Sequence, residues 1–369
     1  MNPAERKARD QDRDRRIVEL VAMLALLPML RTAAEHAAQA VRIGVDPAAA
    51  ASAVLQGDPA VHQAGIAPVL ASAATTAWLL GLHRSRANAA EHATGHRVTL
   101  NAAREALQGT PNVLHPPRRY ADAVGRLVSA AGGPVAVSRY HASALVRTRP
   151  VVDRIDRRVA ARLHSVSVAG PSMLLTPPPG AHTPTAIADA MQQVRLAFDR
   201  AGMGTRTSWY VEGRHPAAGE PNVSSAAETV VETIVGMDYD AGREFGSQAI
   251  AEMPEPVADV LPPALPPQRS VNTKPKLWGF TWSSVIDGRR CRYCRRLHGM
   301  TAPVGHAVWE VLRPICHHGC RCSRIDRYIT PGQTLPLIRV PDLSDPDVLE
   351  AVRMRRELQA WWQGLPISL

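Results

Sequence analysis

The chain has 369 residues, a formal net charge of +10 and an isoelectric point near 9.9. This length predicts two or three domains with a substantial buried core. The positive charge is almost entirely arginine, which binds phosphate oxygens without regard to sequence and favours a polyanionic partner, although a GC-rich genome also enriches arginine and alanine. Aromatic residues make up 4% of the chain, which argues against a single-strand nucleic-acid binder built on stacking platforms.

The N-terminal two thirds of the chain are predicted to be helical. Residues 1–16 form a charged lead, and residues 17–253 form a helical body in which apolar residues recur every three or four positions and alanine fills the intervals. Breaks rich in proline and glycine at 57–59, 132–134 and 177–180 separate the helices.

Two apolar runs, 17–30 and 66–82, must be distinguished from membrane segments. Both are short or diluted by polar residues, and the mixed charges before the first are atypical of a signal peptide. We therefore expect buried helices in a soluble protein made in a reducing cytoplasm. The basic stretch 147–162 has acidic residues at helical spacing, which is typical of a solvated face; the alternative is a face toward DNA or an acidic partner.

The composition changes after residue 253. A proline-rich, extended linker at 254–276 is predicted to separate the helical body from a small α+β module at 277–330, hereafter the C-terminal module. Residues 331–369 form a tail and a helix that begins near Pro346. The predicted fold class is mainly α: a helical N-terminal body, a linker, a small zinc-knuckle-like α+β module and a C-terminal helix.

The C-terminal module begins with an aromatic strand signal. Trp278, Phe280 and Trp282 alternate as on a half-buried strand, and the run 325–329 could pair with it. A unit of this size has too little core to be stable without a cross-link or a metal ion.

All five cysteines of the chain lie in the C-terminal module, at Cys291, Cys294, Cys316, Cys320 and Cys322. A CxxC turn presents two thiolates together, and a second turn rich in cysteine and histidine can complete a tetrahedron around Zn²⁺. An odd number of cysteines and the lack of a convincing export signal argue against disulfides. A redox CxxC is also disfavoured, because such a motif normally opens a helix in a βαβ unit. The pattern therefore predicts a structural zinc site that contributes folding energy.

The candidate zinc ligands are Cys291, Cys294, His317, Cys320 and Cys322. Cys320 and Cys322 are two residues apart and would point to the same face of a strand. On this interpretation Cys316 and His318 lie beside the site without binding the ion.

Arginine is concentrated around these cysteines, with few acidic residues nearby. A local excess of arginine on a small rigid scaffold favours contact with nucleic acid or with an acidic protein surface. The candidate nucleic-acid contacts are Arg289, Arg290, Arg292, Arg295, Arg296, Arg321 and Arg324.

The segment 282–322 resembles the C-terminal signature of phage Mu protein F-like head morphogenesis proteins of the actinobacteriophage type. That family has the pattern D-x-R-x-C-x-x-C-x-x-L-x-G followed by P-x-x-H-P-N-C-R-C. Here Asp287 is shifted by one residue, His318 and Gly319 replace the Pro-Asn pair, and Cys316 is additional. The matching positions are Asp287, Arg290, Cys291, Cys294, Leu297, Gly299, His317, Cys320, Arg321 and Cys322.

The resemblance implies a minor capsid protein. Its expected partners are the portal protein, capsid or scaffold proteins and, without sequence specificity, phage DNA. It would act in the host cytoplasm during prohead assembly, DNA packaging or ejection, and remain in the virion near the portal.

Two other classes of function stay open. Some relatives in this family are described as capsid maturation proteases, but the chain has no GxSxG, HExxH, Walker or paired-carboxylate motif. Ser138 and His141 are close in sequence without a third group, so no enzyme is predicted. A zinc-stabilised DNA-binding regulator would need a recognition helix, which the arginine-rich segment does not provide clearly.

Overall fold

A computed structural model describes residues 3–57, 65–94, 105–106, 116–169, 184–204, 225–252, 276–284, 291–317, 320, 322–329 and 332–363. The described part is mainly α-helical, with one small antiparallel sheet toward the C-terminus, so the predicted fold class is confirmed. The predicted proline-rich linker at 254–276 lies outside the described residues except for Lys276.

Eight helices precede the sheet in the described part of the chain. They are α1 (Pro3–Arg42), α2 (Pro47–Gly57), α3 (Ala67–Thr94), α4 (Ala121–Ala130), α5 (Pro134–Arg147), α6 (Arg149–Ala169), α7 (Pro184–Gly202) and α8 (Ala226–Glu252). The predicted break at 132–134 is confirmed, because Gly132 and Gly133 both adopt positive φ between α4 and α5. This left-handed conformation is one that glycine adopts without steric cost.

The C-terminal elements are β1 (Lys276–Ser283), α9 (Arg292–Leu297), β2 (Thr301–Pro303), α10 (Val308–Val311), β3 (Ser323–Ile329) and α11 (Pro346–Gln363). The sheet order is β2-β1-β3 and both pairings are antiparallel. The predicted pairing of the aromatic strand with the run 325–329 is confirmed, with Trp282 opposite Arg324 and Thr281 opposite Ile325. Trp282 is fully buried, so the aromatic face of β1 forms the core of this module.

The chain packs as two compact units, each made of segments that are distant in sequence. Unit 1 comprises Met1–Val18, Ala73–His141 and Glu232–Leu369, and unit 2 comprises Glu19–Ser72 and Ala142–Val231. Unit 1 therefore combines the sheet with the beginning of α1 and with most of α3 and α8. The consecutive domain boundaries of the sequence analysis stay a prediction.

Buried ion pairs join the elements of unit 1. Asp14 on α1 accepts hydrogen bonds from Arg84 Nε at 2.9 Å and from the Tyr239 hydroxyl at 3.0 Å. Arg243 on α8 pairs with Asp326 on β3 at 2.5 Å, and both side chains are at most 2% exposed. Breaking one partner of such a pair leaves a buried charge uncompensated, so these contacts hold α1, α3 and α8 against the sheet.

Helices α3 and α8 approach each other closely at two glycines. A Cβ added at Gly81 would overlap the Tyr239 carbonyl oxygen, and a Cβ added at Gly242 would overlap the Trp78 carbonyl oxygen. Only glycine allows two backbones to approach to this distance.

Unit 2 contains the basic stretch on α6. Its apolar residues face inward, since Val152, Ile155 and Val159 are buried. Asp156 is also buried and accepts hydrogen bonds from Ser52 at 3.2 Å and from Gln56, both on α2. One of the two acids in this stretch therefore contributes to packing rather than to a solvated face.

Helix α1 contains the first of the two apolar runs. By length and composition alone its stretch Arg9–Arg42 could cross a membrane, and half of the most apolar window is buried within the structure. Core helices of soluble proteins share this property, so the location of the protein stays a prediction.

Candidate metal centre

The first half of the centre is the turn that begins α9. Cys291 is the N-cap residue, and its Sγ accepts a hydrogen bond from the Cys294 backbone N–H at 3.2 Å. This cap satisfies one of the free N–H groups of the first helical turn. It also brings the thiols of Cys291 and Cys294 to the same side of the helix.

The second half is residues 315–322, hereafter the ligand loop, which lies between α10 and β3. Its turn is closed by the Cys320 N–H, which donates to the His317 carbonyl oxygen at 3.1 Å. Two arginines hold its ends: Arg355 Nη1 donates to the Ile315 carbonyl oxygen at 2.8 Å, and Arg15 Nη1 donates to the Cys322 carbonyl oxygen at 3.0 Å.

Three thiols from the two halves form a nearly equilateral triangle. The sulfur–sulfur distances are 3.9 Å for Cys294–Cys316, 3.7 Å for Cys294–Cys320 and 3.8 Å for Cys316–Cys320. A tetrahedral ion with metal–sulfur bonds of about 2.3 Å would have sulfur–sulfur edges of about 3.8 Å. The triangle therefore has the dimensions of one face of a tetrahedral thiolate site.

His317 supplies a fourth ligand atom. Its Nε2 lies 3.6 Å from Cys294 Sγ, and the ligand atoms of Cys294, Cys316, His317 and Cys320 all lie within 4.8 Å of one another. The three cysteines are buried and His317 is half-buried. These four residues could hold a metal ion.

The predicted ligands are thus only partly brought together. Cys294, His317 and Cys320 lie in the group of four. Cys291 lies beside it, with Sγ 3.1 Å from His317 Nε2. Cys322, buried just before β3, is not one of the four, although its thiol interacts with those of Cys294 and Cys320. Cys316, which the sequence analysis left without a metal-binding role, lies in the group, and His318 lies outside the described residues.

Spacing alone could not have separated Cys316 from Cys322, because both flank Cys320 within one short loop. The other nearby histidines have different partners. His298 Nδ1 is 3.2 Å from the Ser284 backbone nitrogen, and His306 Nδ1 accepts from the Val308 N–H at 3.2 Å.

The crowded thiols interact strongly. The hydrogen bond from Cys294 and then the one with His317 lower the pKa of Cys291 to about 4, against burial, which raises it. The pKa of Cys294 is raised, chiefly by its hydrogen bond to Cys291. Like charges this close disfavour one another, so the thiols cannot all ionise together unless a cation lies among them.

Two other positions of the family-like motif have structural roles. Leu297 is fully buried. Gly299 adopts φ +84°, and its N–H donates to the Trp282 carbonyl oxygen at 2.8 Å. These residues connect the end of α9 to β1, next to the thiols.

The candidate phosphate-binding arginines fall into two groups. Arg292, Arg295 and Arg296 are exposed on α9, with Asp345 and Asp347 within 4 Å of two of them. Arg324 is buried, pairs with Asp240 at 3.2 Å and lies 4.6 Å from the Phe280 ring centre. Its guanidinium is therefore committed to packing within unit 1. Arg289, Arg290 and Arg321, like Asp287, lie outside the described residues.

A cavity of about 500 Å³ opens beside the centre. Its lining comes from the two halves of the centre and from α11, namely Cys291, Tyr293, His317, Arg353, Met354, Glu357 and Leu358.

The pair Ser138 and His141 shows no catalytic arrangement in the described residues. Ser138 is exposed on α5, and His141 Nδ1 is 3.1 Å from the Thr75 hydroxyl.

Comparisons with models of protein families, with curated proteins and with solved structures found no match.

Proposed function

We propose that the chain binds one Zn²⁺ ion through Cys294, Cys316, Cys320 and His317, and that the ion has a structural role. The observation that carries this proposal is the sulfur triangle with edges of 3.7–3.9 Å. Three thiolates and one imidazole in a tetrahedron are a donor set that zinc prefers. When bound, the ion would neutralise the crowded thiolates and join α9 to the ligand loop.

The structural role follows from where the ligands lie in the chain. Buried ion pairs already hold the sheet against helices of unit 1, so the ion would act locally, on the segments that carry its ligands. The proposed ligands come from both sides of β2 in sequence, so the ion would cross-link the segment before this strand to the segment after it.

Elemental analysis and metal titration of the full chain test this proposal. We expect one zinc per chain, lost on Cys294→Ser or Cys320→Ser, together with a fall in the near-ultraviolet circular dichroism of the buried Trp282 and Trp309. Arg353→Ser, on the exposed side of α11, is the matched control and should keep the metal. A folded chain that binds no metal would refute the proposal.

We also propose that the protein is a phage head protein of the Mu protein F-like type that acts at the portal vertex. The ordered cysteine and histidine motif supports this, as do the structural roles of its Leu297 and Gly299 positions. A basic chain with a rigid arginine-bearing module also suits a protein that bridges a portal oligomer and packaged DNA.

Coexpression with the portal and scaffold proteins of the same genome tests this role. The chain should sediment with proheads that contain portal and be released from proheads that lack it. Its absence from both proheads and finished virions would exclude a head protein.

A further inference from the structure

The fourth ligand position of the proposed centre faces the cavity. Cys294, Cys316 and Cys320 are at most 4% exposed and form the inner face of the tetrahedron. His317 and Cys291 both line the cavity. An ion held by the sulfur triangle and His317 would therefore have its imidazole ligand on the side that is open to solvent.

Two side chains compete for that position. The distance of 3.6 Å from Cys294 Sγ to His317 Nε2 matches the sulfur–nitrogen edge of a tetrahedral site with bonds of about 2.3 and 2.1 Å. Cys291 Sγ lies only 3.1 Å from the same nitrogen, closer than two ligands of one tetrahedral ion would normally lie. Cys291 Sγ thus lies next to the vertex that His317 Nε2 would occupy.

We propose that this fourth position is exchangeable: His317 and Cys291 alternate as the ligand, and metal enters and leaves the centre through the cavity. The proposal rests on the proposed metal binding and adds a route and a mechanism of exchange to it. A ligand on the solvent side can be replaced by an incoming group, as at the position that catalytic zinc sites keep for water or substrate.

The exchange balances without an outside reagent. The metal–nitrogen bond to His317 would break and a metal–sulfur bond to the Cys291 thiolate would form, and the released Nε2 would lie within hydrogen-bond distance of Cys291 Sγ. The ion would have four protein ligands before and after the exchange. An external thiol, imidazole or chelator that enters the cavity can replace either side chain in the same way.

Cobalt(II) substitution of the full chain tests this inference, because the intensity of the sulfur-to-cobalt absorption reports the number of bound thiolates. Cys291→Ser should keep one cobalt with the spectrum of three thiolates and one imidazole. His317→Ala should keep one cobalt with the spectrum of four thiolates. Transfer of cobalt from Cys291→Ser to a chelator should be about tenfold slower than from the unchanged chain, comparable to the effect of altering an outer ligand contact.

Alkylation of the unchanged, cobalt-loaded chain gives a measurement that does not depend on a variant. Cys291 should be modified before Cys294, Cys316 and Cys320, without release of the metal. The inference is overturned if Cys291→Ser leaves both the spectrum and the transfer rate unchanged, or if His317→Ala abolishes cobalt binding. Failure of the unchanged chain to bind cobalt or zinc would instead overturn the proposed metal binding itself.

Discussion

The ligand loop illustrates how residues of one type, close in sequence, acquire different roles. Cys316 and Cys322 are both buried, yet only Cys316 has its sulfur in the triangle with Cys294 and Cys320. Cys322 lies immediately before β3, and Arg15 Nη1 donates to its backbone carbonyl oxygen. Which thiol joins the group of four therefore depends on the path of the loop.

We predict that Cys316→Ser and Cys322→Ser differ in metal affinity. Cys316→Ser removes one of four ligands, so zinc affinity should fall by more than the roughly 100-fold that the loss of an outer-shell partner costs. Cys322→Ser should retain one zinc per chain. Competition with a chromogenic chelator measures both variants, and loss of zinc from Cys322→Ser but not from Cys316→Ser would contradict the proposed ligand set.

Arg355 provides a second prediction at the residue scale. Its guanidinium donates to the Ile315 carbonyl oxygen and so positions the start of the ligand loop. Arg355→Met approximately keeps the side-chain length but removes this hydrogen bond, so zinc affinity should fall by about tenfold. Arg356→Met, at the adjacent exposed position, is the control and should bind zinc like the unchanged chain. Equal affinities for the two variants would show that Arg355 does not position the loop.

The sequence predicted where the candidate centre lies and three of the four grouped residues, but it also named Cys291 and Cys322, which are not in the group. Cys294, His317 and Cys320 follow from spacing, because the ligands of a zinc turn are close in the chain. The place of Cys316 in the group does not follow from spacing, because the path of the ligand loop also depends on hydrogen bonds that Arg15 and Arg355 make from distant helices. Similarly, Arg324 belongs to an arginine-rich segment, but it is buried and pairs with Asp240, which is 84 residues away in sequence. The sequence pattern therefore could not show that this arginine is unavailable to DNA.

At the scale of the elements, the crossing of α3 and α8 depends on two glycines. Gly81→Ala and Gly242→Ala should each lower the free energy of unfolding by about 1–3 kcal/mol, because the added methyl overlaps a carbonyl oxygen and forces the helices apart. Urea unfolding followed by circular dichroism measures this effect.

Gly125 on α4 is the matched control, because an added Cβ there meets no atom within 4 Å. Gly125→Ala should stabilise the chain by up to about 1 kcal/mol, since alanine is a better helix former than glycine. Equal effects at Gly125 and Gly81 would mean that α3 and α8 do not pack as described.

Local sequence patterns predicted which helices and strands form, but they did not predict which charged side chains on them are buried. The alternating aromatic residues predicted β1, and the glycine pair predicted the break between α4 and α5. The charged N-terminal lead, by contrast, is the beginning of α1, with Asp14 and Arg15 buried. Their partners Arg84 and Cys322 are distant in sequence, so no local pattern could indicate that these charges are buried.

At the scale of the whole molecule, the exposed arginines of α9 should bind DNA through its phosphates. We predict that the triple substitution of Arg292, Arg295 and Arg296 by alanine weakens DNA binding uniformly across sequences and reduces the slope of log affinity against log salt by about 2–3. Arg118, Arg119 and Arg126, exposed just before and on α4, provide a control with the same number of substitutions. Fluorescence anisotropy over a salt series measures both, and an unchanged slope for the α9 variant would exclude this surface.

The central claim is that a metal ion holds the C-terminal module together. Native mass spectrometry of the full chain, before and after treatment with a chelator, tests it most directly when combined with near-ultraviolet circular dichroism. We predict the mass of one bound zinc ion per chain, lost on chelation together with the tryptophan signal, and recovery of both when zinc is added. A chain that carries no metal, or one whose spectrum does not change when the metal is removed, would contradict the claim.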